Sequence, residues 1–141
     1  MGKDDWYRDR ILWKVAKHKL LDKKCCMFSN LSNDKALSIT EVIPEYTNPV
    51  IVFWESRDKW TVLGTRAICS FYDGNLVFSE LDEINKQISL FRPVGVKPEV
   101  AKSESNFISL DKTGELVWVP AGAELFALMN ILGMFPLGVP N

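Results

Sequence analysis

The fold is decided by the stretch Trp60-Thr-Val-Leu-Gly-Thr-Arg-Ala-Ile-Cys-Ser-Phe-Tyr-Asp-Gly-Asn-Leu-Val-Phe-Ser-Glu-Leu81. Asp73-Gly74 lies between two apolar-rich runs and favours a type I′ turn, because both central residues of that turn need a positive φ. The sequence therefore predicts a β-hairpin formed by residues 66–72 and 75–81. Gly64-Thr65, just ahead of it, predicts a bend or bulge.

Further strands are predicted on both sides of this hairpin, where β-branched and aromatic residues concentrate between polar turns. They lie at residues 50–55, 59–64, 87–91, 106–110 and 115–119. The last two form a second hairpin, in which Gly114 suits the left-handed position that follows a type I turn. Residues 92–106 are polar and are predicted as a mobile loop. The prediction is therefore about seven short antiparallel strands.

After Pro120 the apolar pattern changes to a helical period. Apolar residues follow one helix stripe, which Phe126 and Ile131 widen; its members are Leu125, Leu128, Met129 and Leu132. Gly133 and Pro136 mark the end of this helix. Because the helix carries almost no charge, we expect it to be covered, either by closing a curved sheet or by packing against a second chain. A homodimer is therefore left open.

The N-terminal part predicts an amphipathic helix over residues 4–24. Its apolar stripe is predicted to consist of Trp6, Trp13, Ala16 and Leu20, with basic side chains opposite. Residues 34–42 fit either a short helix or an extended segment. We expect residues 1–48 to form a helical extension docked on the sheet, and residues 49–141 to form the sheet domain, since the extension is too small for a core of its own.

Composition points to one soluble domain with an ordinary core, since the chain has 141 residues, 47% of them hydrophobic. The formal net charge of −1 argues against nucleic acid as a general partner, because phosphate binding needs a basic footprint. The charge is uneven. Residues 1–24 hold eight Lys or Arg against four Asp, a net of +4, and the other nine Lys or Arg against fourteen Asp or Glu give −5.

Cysteine and histidine usage predicts neither a metal site nor a cofactor. Cys25 and Cys26 are adjacent, Cys69 lies in a predicted strand, and His18 is the single histidine. No ligand spacing typical of zinc is present, and the odd cysteine count suits a reducing compartment. Together with a charged N-terminus and no long apolar run, this predicts a cytoplasmic protein.

Three segments resemble the pattern of bacterial pleckstrin-homology-like (PH-like) domains: Lys59-Trp-Thr-Val-Leu-Gly-Thr-Arg-Ala-Ile68, Asp73-Gly74 and Leu81-Asp-Glu-Ile84. The resemblance covers roughly residues 50–135. It implies an α+β fold: a PH-like antiparallel sheet or partly open barrel of about seven strands, a closing C-terminal helix and, outside the resemblance, the N-terminal amphipathic helix. Small bacterial domains of this kind include uncharacterised proteins and, by looser similarity, immunity proteins of toxin systems.

Five residues are candidates for binding. In PH domains that bind phosphoinositides, the first hairpin supplies Lys and Arg, and the matching hairpin here carries Arg57 and Lys59, with Arg66 further on. Interleaved acidic residues there would repel phosphate. Trp6 and Trp13, beside basic residues, would also suit a membrane-surface helix. We expect both rings instead to pack on the sheet, because a large apolar ring gains most from burial.

Catalysis has little support, since it needs a nucleophile, acid or base within reach of a partner group. His18 is expected to be exposed among lysines. Lys23 and Lys24 would lower the pKa of a neighbouring thiol, but no second histidine is available as a base.

The sequence therefore predicts a non-catalytic module that binds another protein, of which an immunity role against a toxin is one specific version. The expected contact surfaces are a sheet edge and the acidic face. A peripheral lipid-binding domain is the alternative and a small enzyme the weaker one; we expect no membrane partner.

Overall fold

The computed structural model describes residues 2–139, and within that range it has the α+β class that the sequence predicts, with five α-helices and eight strands. The helices are α1 Lys3–Lys17, α2 Asn33–Thr40, α3 Leu81–Ile84, α4 Pro98–Glu104 and α5 Ala123–Leu132. The strands are β1 Cys26–Met27, β2 Pro49–Ser56, β3 Lys59–Gly64, β4 Ala67–Tyr72, β5 Asn75–Glu80, β6 Ile88–Leu90, β7 Phe107–Leu110 and β8 Glu115–Trp118.

The strands form two antiparallel sheets, a five-stranded one in the order β1-β2-β3-β4-β5 and a three-stranded one in the order β6-β7-β8. The seven predicted strands correspond to β2–β8. The sequence analysis missed β1, which pairs only through Cys26 with Val52 and Met27 with Ile51. A strand of two residues is too short to show alternation, so nothing in its composition predicts it.

The predicted turns are confirmed by the backbone. Asp73 and Gly74 have φ values of 52° and 76°, as a type I′ turn requires, and Gly114 has a φ of 80°. At Gly64 the chain crosses another segment: a Cβ there would lie 1.9 Å from the carbonyl oxygen of Thr47. The amide of Thr65 donates to the carbonyl of Asn48 over 3.1 Å at the same crossing. Only glycine allows this approach.

One face of the five-stranded sheet, here called the first face, packs on α1, α5 and the three-stranded sheet around a single apolar core. From α1 this core receives Tyr7, Ile11 and Val15. The predicted stripe is wrong for Trp13 and Ala16, which are exposed, whereas Trp6 packs against the core and Leu20, beyond the end of α1, is fully buried in it. α1 has two apolar stripes, and the one formed by Tyr7, Ile11 and Val15 fills the core.

The opposite, second face is covered by α2. Ile39 of α2 and the following Ile43 pack on Val52, Trp60 and Val62. Ser32 accepts a hydrogen bond from the amide of Lys35 and caps the helix, which resolves the open choice for residues 34–42 in favour of helix. Near β5 this face is only partly covered, and Leu76 and Phe78 remain half-buried.

The two sheets are joined by buried hydroxyl groups. The hydroxyls of Thr61 and Ser70 lie 2.7 Å apart, and both side chains are fully buried. Ser70 accepts from the amide of Trp118 over 2.9 Å, and Thr61 donates to the carbonyl of the same residue. Tyr72 adds a bond to the carbonyl of Leu116. These bonds satisfy polar groups that would otherwise be unpaired in the core.

Two further predictions need correction. Residues 92–106 are not a loop throughout, because Pro98 begins α4, whose Ala101 is buried; this helix is too short to show a period. In α5 the predicted residues Leu125, Leu128, Ile131 and Leu132 are buried, but Phe126 is 41% exposed and does not widen the covered stripe.

Candidate functional site

The three predicted phosphate ligands do not come together. Arg57 is exposed at the tip of the β2–β3 turn. Lys59 lies 3.6 Å from the carboxylate of Glu55, and its ammonium stands over the ring of Trp118 at 5.4 Å from the centroid. Arg66 follows the other end of β3, a six-residue strand spanning roughly 20 Å. A single anion cannot contact all three cations.

Arg66 is instead engaged by α1. Its Nε and Nη2 atoms donate to the two carboxylate oxygens of Asp4 over 2.5 and 2.9 Å, and Thr65 donates to the same carboxylate over 2.8 Å. The hydrogen bonds from Arg66 lower the pKa of Asp4 from its ordinary 3.8 to about 2. This bidentate pair anchors the first turn of α1 to the loop between β3 and β4.

A second anchor holds α1 to α3. The hydroxyl of Tyr7 donates to Asp82 over 2.5 Å and accepts from the amide of Leu137 over 3.1 Å, and Lys3 also pairs with Asp82. Burial opposes ionisation of Asp82, but the hydrogen bonds from Lys3 and Tyr7 outweigh it and hold its pKa below the usual value. The orientation of α1 is therefore fixed at two points.

The two tryptophans of α1 have different surroundings. Trp6 is half-buried, and its indole donates to the carbonyl of Gly138 over 2.8 Å. Trp13 is 50% exposed, so the expectation that it packs on the sheet is wrong. Three cations stand over the ring of Trp13, at 5.3 Å for Arg10, 5.6 Å for Lys14 and 5.2 Å for Lys17. We call the two tryptophans and the three cations, Trp6, Arg10, Trp13, Lys14 and Lys17, the basic–aromatic stripe.

The candidates for catalysis lack suitable surroundings. Burial raises the pKa of the Cys25 thiol to about 12 and also raises the pKa of Cys26, so the nearby lysines do not activate either thiol. His18 is half-buried rather than exposed, and burial together with the charges of Lys14, Lys17 and Lys23 lowers its pKa. Across residues 2–139 no cluster of three or more His, Cys, Asp or Glu could hold a metal ion.

Two surface cavities lie near aromatic residues. One, of about 310 Å³, lies between α4 and the end of β6 and is lined mainly by apolar side chains, among them Phe91 and Phe107. The other, of about 420 Å³, lies beside Trp54 and Trp118 and has Lys24 and Glu55 on its wall. Ser105, on the wall of the first cavity, donates its hydroxyl to the carbonyl of Phe91 over 2.8 Å.

The strand β5 is an edge strand, paired with β4 on one side and without a backbone partner on the other among the described residues. Tyr72 and Asn75 flank its two-residue turn, so they exchange hydrogen bonds, and bonded and non-bonded pairs alternate from there. The backbone groups that point away from β4 therefore belong to Leu76, Phe78 and Glu80, and of these the carbonyl of Glu80 accepts a hydrogen bond from the hydroxyl of Ser79 over 3.2 Å. Sequence reasoning pointed to an edge strand but could not say which strand it was.

Apolar side chains adjoin this edge. Tyr46 is 48% exposed and meets the ring of Phe78 edge to face, with the centroids 6.0 Å apart. Its hydroxyl donates to Glu80 over 3.5 Å. We call Tyr46, Leu76, Phe78 and Glu80, with the free backbone of β5, the β5 surface. It combines unpaired peptide groups with apolar contact area, which is the chemistry of strand addition.

Comparison with known proteins adds no assignment: no family model, curated protein or solved structure matches this chain. No helix between residues 2 and 139 is both long enough and apolar enough to cross a bilayer.

Proposed function

We propose that this protein is a non-catalytic binding module whose β5 surface accepts an extended strand of another protein. The observation that carries the proposal is the free edge of β5, six residues long and with apolar side chains at its centre. An incoming strand would satisfy the backbone groups of Leu76 and Phe78 and the N–H of Glu80, and would cover the ring of Tyr46. Main-chain bonds would supply affinity, and the side-chain contacts would supply specificity.

The composition of β5 supports this use. Edge strands in natural proteins are protected by shortness, lysine, proline or a bulge, because bare edges pair with other chains. None of these devices is present in β5, whose sequence is Asn-Leu-Val-Phe-Ser-Glu and whose pairing with β4 is regular. At the other edge, β1 is only two residues long.

The charge around the β5 surface indicates the chemistry of the partner. Glu80 lies at one end of β5 and Asp73 at the other, and Glu45 precedes Tyr46 in the chain. The chain beyond residue 24 carries a net −5. A partner strand with basic flanks is therefore favoured, since complementary charge speeds association and excludes wrong partners. An immunity role against a basic toxin, such as a nuclease, is the specific form of this proposal.

We also propose a PH-like architecture for residues 50–135. The order of elements supports it: β2–β8 follow one another in up-and-down order within their two sheets, and α5 comes after the last strand and packs on the three-stranded sheet. In this architecture the sheet is a scaffold for recognition, which agrees with the lack of paired catalytic groups around His18, Cys25 and Cys26.

The proposal is tested with two substitutions at one position. Leu76→Pro removes an outward N–H and leaves the ladder to β4 intact, whereas Leu76→Ala shortens the same side chain and keeps the N–H. We expect affinity purification from the native host, read by quantitative mass spectrometry, to recover a stoichiometric partner with the wild type and Leu76→Ala but not with Leu76→Pro.

The possible results separate the alternatives. If no stoichiometric protein is recovered with the wild type, or if Leu76→Pro retains it fully, the proposed use of β5 is wrong. Light scattering of the purified wild type tests whether the partner is a second copy: a dimer that Leu76→Pro converts to a monomer would identify the homodimer as the bound form.

A further inference from the structure

We propose that the basic–aromatic stripe of α1 docks the protein on an anionic membrane surface, with lipid headgroups contacting Arg10, Lys14 and Lys17 and the ring of Trp13 lying at headgroup level. This surface is separate from β5, and its occupant is lipid rather than protein. The proposal depends on three features of the stripe: its geometry, its charge and its attachment to the rest of the molecule.

The geometry places the stripe on the solvent side of α1. Trp6, Arg10, Trp13 and Lys17 recur at the three- and four-residue spacing of one helix face. The core stripe of the same helix, Tyr7, Ile11 and Val15, is fully covered by the sheet and α5. The two stripes share one helix but not one face. Trp13 and Lys17 are exposed, whereas Trp6, Arg10 and Lys14 are half-buried, so the basic–aromatic stripe is available to a flat surface mainly through Trp13 and Lys17.

Two of the three cations of the stripe, Lys14 and Lys17, are not neutralised by an ion pair among the described residues. The third, Arg10, pairs with Asp9 over 2.7 Å. Both lysines stand over the same half-exposed indole, and their charges add to burial in lowering the pKa of His18. An anionic surface would relieve this local repulsion.

Tryptophan distinguishes lipid from other anionic partners. Its ring has an apolar body and a polar N–H, and it concentrates at the boundary between headgroups and acyl chains. The ring of Trp13 is half-exposed, and the cations that stand over it all belong to its own helix. A flat membrane surface fits this arrangement better than a shaped macromolecule does.

The attachment of α1 fixes how the protein would sit. The Asp4–Arg66 and Tyr7–Asp82 contacts keep the helix docked through its other side. Because residues 1–24 carry a net +4 and the remainder −5, an anionic surface would attract the stripe and repel the opposite side. The expected mode is a shallow, salt-sensitive association of the folded protein, not insertion of a released helix.

Co-sedimentation with vesicles tests the proposal. The probes are phosphatidylcholine vesicles with and without phosphatidylserine, each at low and at high salt. We expect binding only to the serine-containing vesicles and only at low salt. Binding that is absent at low salt, or equal on neutral vesicles, overturns the proposal. Retention on an acidic peptide or a DNA oligonucleotide without vesicle binding also overturns it and moves the stripe to that class of partner.

Matched variants locate the contact. Lys14→Glu with Lys17→Glu is expected to weaken vesicle binding at least about tenfold, since each basic residue near an anionic surface contributes roughly a fivefold factor. Lys97→Glu with Lys102→Glu makes the same charge change on two exposed lysines at α4 and is expected to have a much smaller effect. Equal losses in the two double variants would mean that total charge, not the stripe, controls binding.

Aromatic variants separate this surface from the β5 surface. Trp13→Ala is expected to weaken vesicle binding several-fold, while Tyr46→Ala, at a side chain of similar exposure, leaves it unchanged. Circular dichroism checks that each variant is folded. Leu76→Pro leaves the basic–aromatic stripe intact, so this variant should still bind vesicles. The vesicle assay therefore tests membrane docking independently of strand addition at β5.

Discussion

At one edge of the five-stranded sheet, β1 of the N-terminal part pairs along β2, and α2 covers the second face over β2 and β3. At the other edge, β5 has β4 on one side and an unpaired backbone on the other. The N-terminal residues thus add a strand to one edge, whereas at the opposite edge they contribute side-chain contacts, such as those of Tyr46 with Phe78 and Glu80, and leave the outward backbone of β5 without a paired strand. The difference supports the proposed use of β5, because an unprotected edge is a candidate for pairing with another chain.

The largest difference between the edges is expected from core truncations. Ile11→Ala removes a fully buried side chain through which α1 packs on the first face, and should lower the free energy of unfolding by about 2–5 kcal/mol. Val77→Ala, at a half-buried position on β5, should lower it by about 1 kcal/mol or less. Urea unfolding measures both. Equal losses would mean that side chains at β5 contribute as much to the free energy of unfolding as those of α1 do.

A smaller but more specific effect is expected where the segment at Thr47 and Asn48 crosses the end of β3 at Gly64. Gly64→Ala places a Cβ against the backbone of Thr47, which cannot move without displacing the segment that follows α2. We expect a loss of about 1–3 kcal/mol in the free energy of unfolding. Gly138→Ala, where a Cβ would meet open space, is the control and should be close to neutral. An unchanged free energy of unfolding in Gly64→Ala would show that the two backbone segments can move apart at this crossing.

The attachment of α1 should depend on pH. The pKa of Asp4 is about 2 in the folded protein and 3.8 without its partners, so its stabilisation is present above the higher value and is lost as pH falls. Because the pair is more than one third exposed, we expect about 1 kcal/mol or less, lost between roughly pH 5 and pH 2. Unfolding curves of the wild type and Asp4→Asn should converge at the acid end. Parallel curves would contradict an ionised Asp4 as the anchor.

The smallest energetic effect concerns the free edge itself. The amides of Leu76 and Phe78 point outward and should exchange with solvent quickly, whereas those of Val77 and Ser79 bond to β4 and should be protected. Hydrogen exchange followed by NMR measures this alternation. Uniform protection along β5 in the isolated protein would mean that the edge is already covered, for example by a second copy.

Much of the fold could be predicted because its signals are local. The Asp73-Gly74 turn and the Gly114 position are set by backbone preferences of residues next to each other, and the seven longer strands follow from composition between such turns. β1 and α4 could not be predicted, because two paired residues and one helix of seven residues are too short to show a period.

The candidate surfaces were harder to predict because exposure depends on distant contacts. The position of β5 at an edge follows from the division of the strands into two sheets, which no single strand encodes. The burial of Trp13 was misjudged because α1 has two apolar stripes, and only packing against α5 and the sheet selects Tyr7 and Ile11 over the larger rings. Arg66 was singled out for its charge, whereas its carboxylate partner lies 62 residues away.

The hydroxyl bridge between the sheets has a consequence for the free edge. Val77 of β5 pairs with Ser70, and the hydroxyl of Ser70 bonds to the amide of Trp118 in the other sheet. β4, the strand next to the edge strand, is therefore hydrogen-bonded to the three-stranded sheet as well as to the strands of its own sheet. An incoming strand would meet a preorganised template, and little conformational entropy of the host would be lost when it binds.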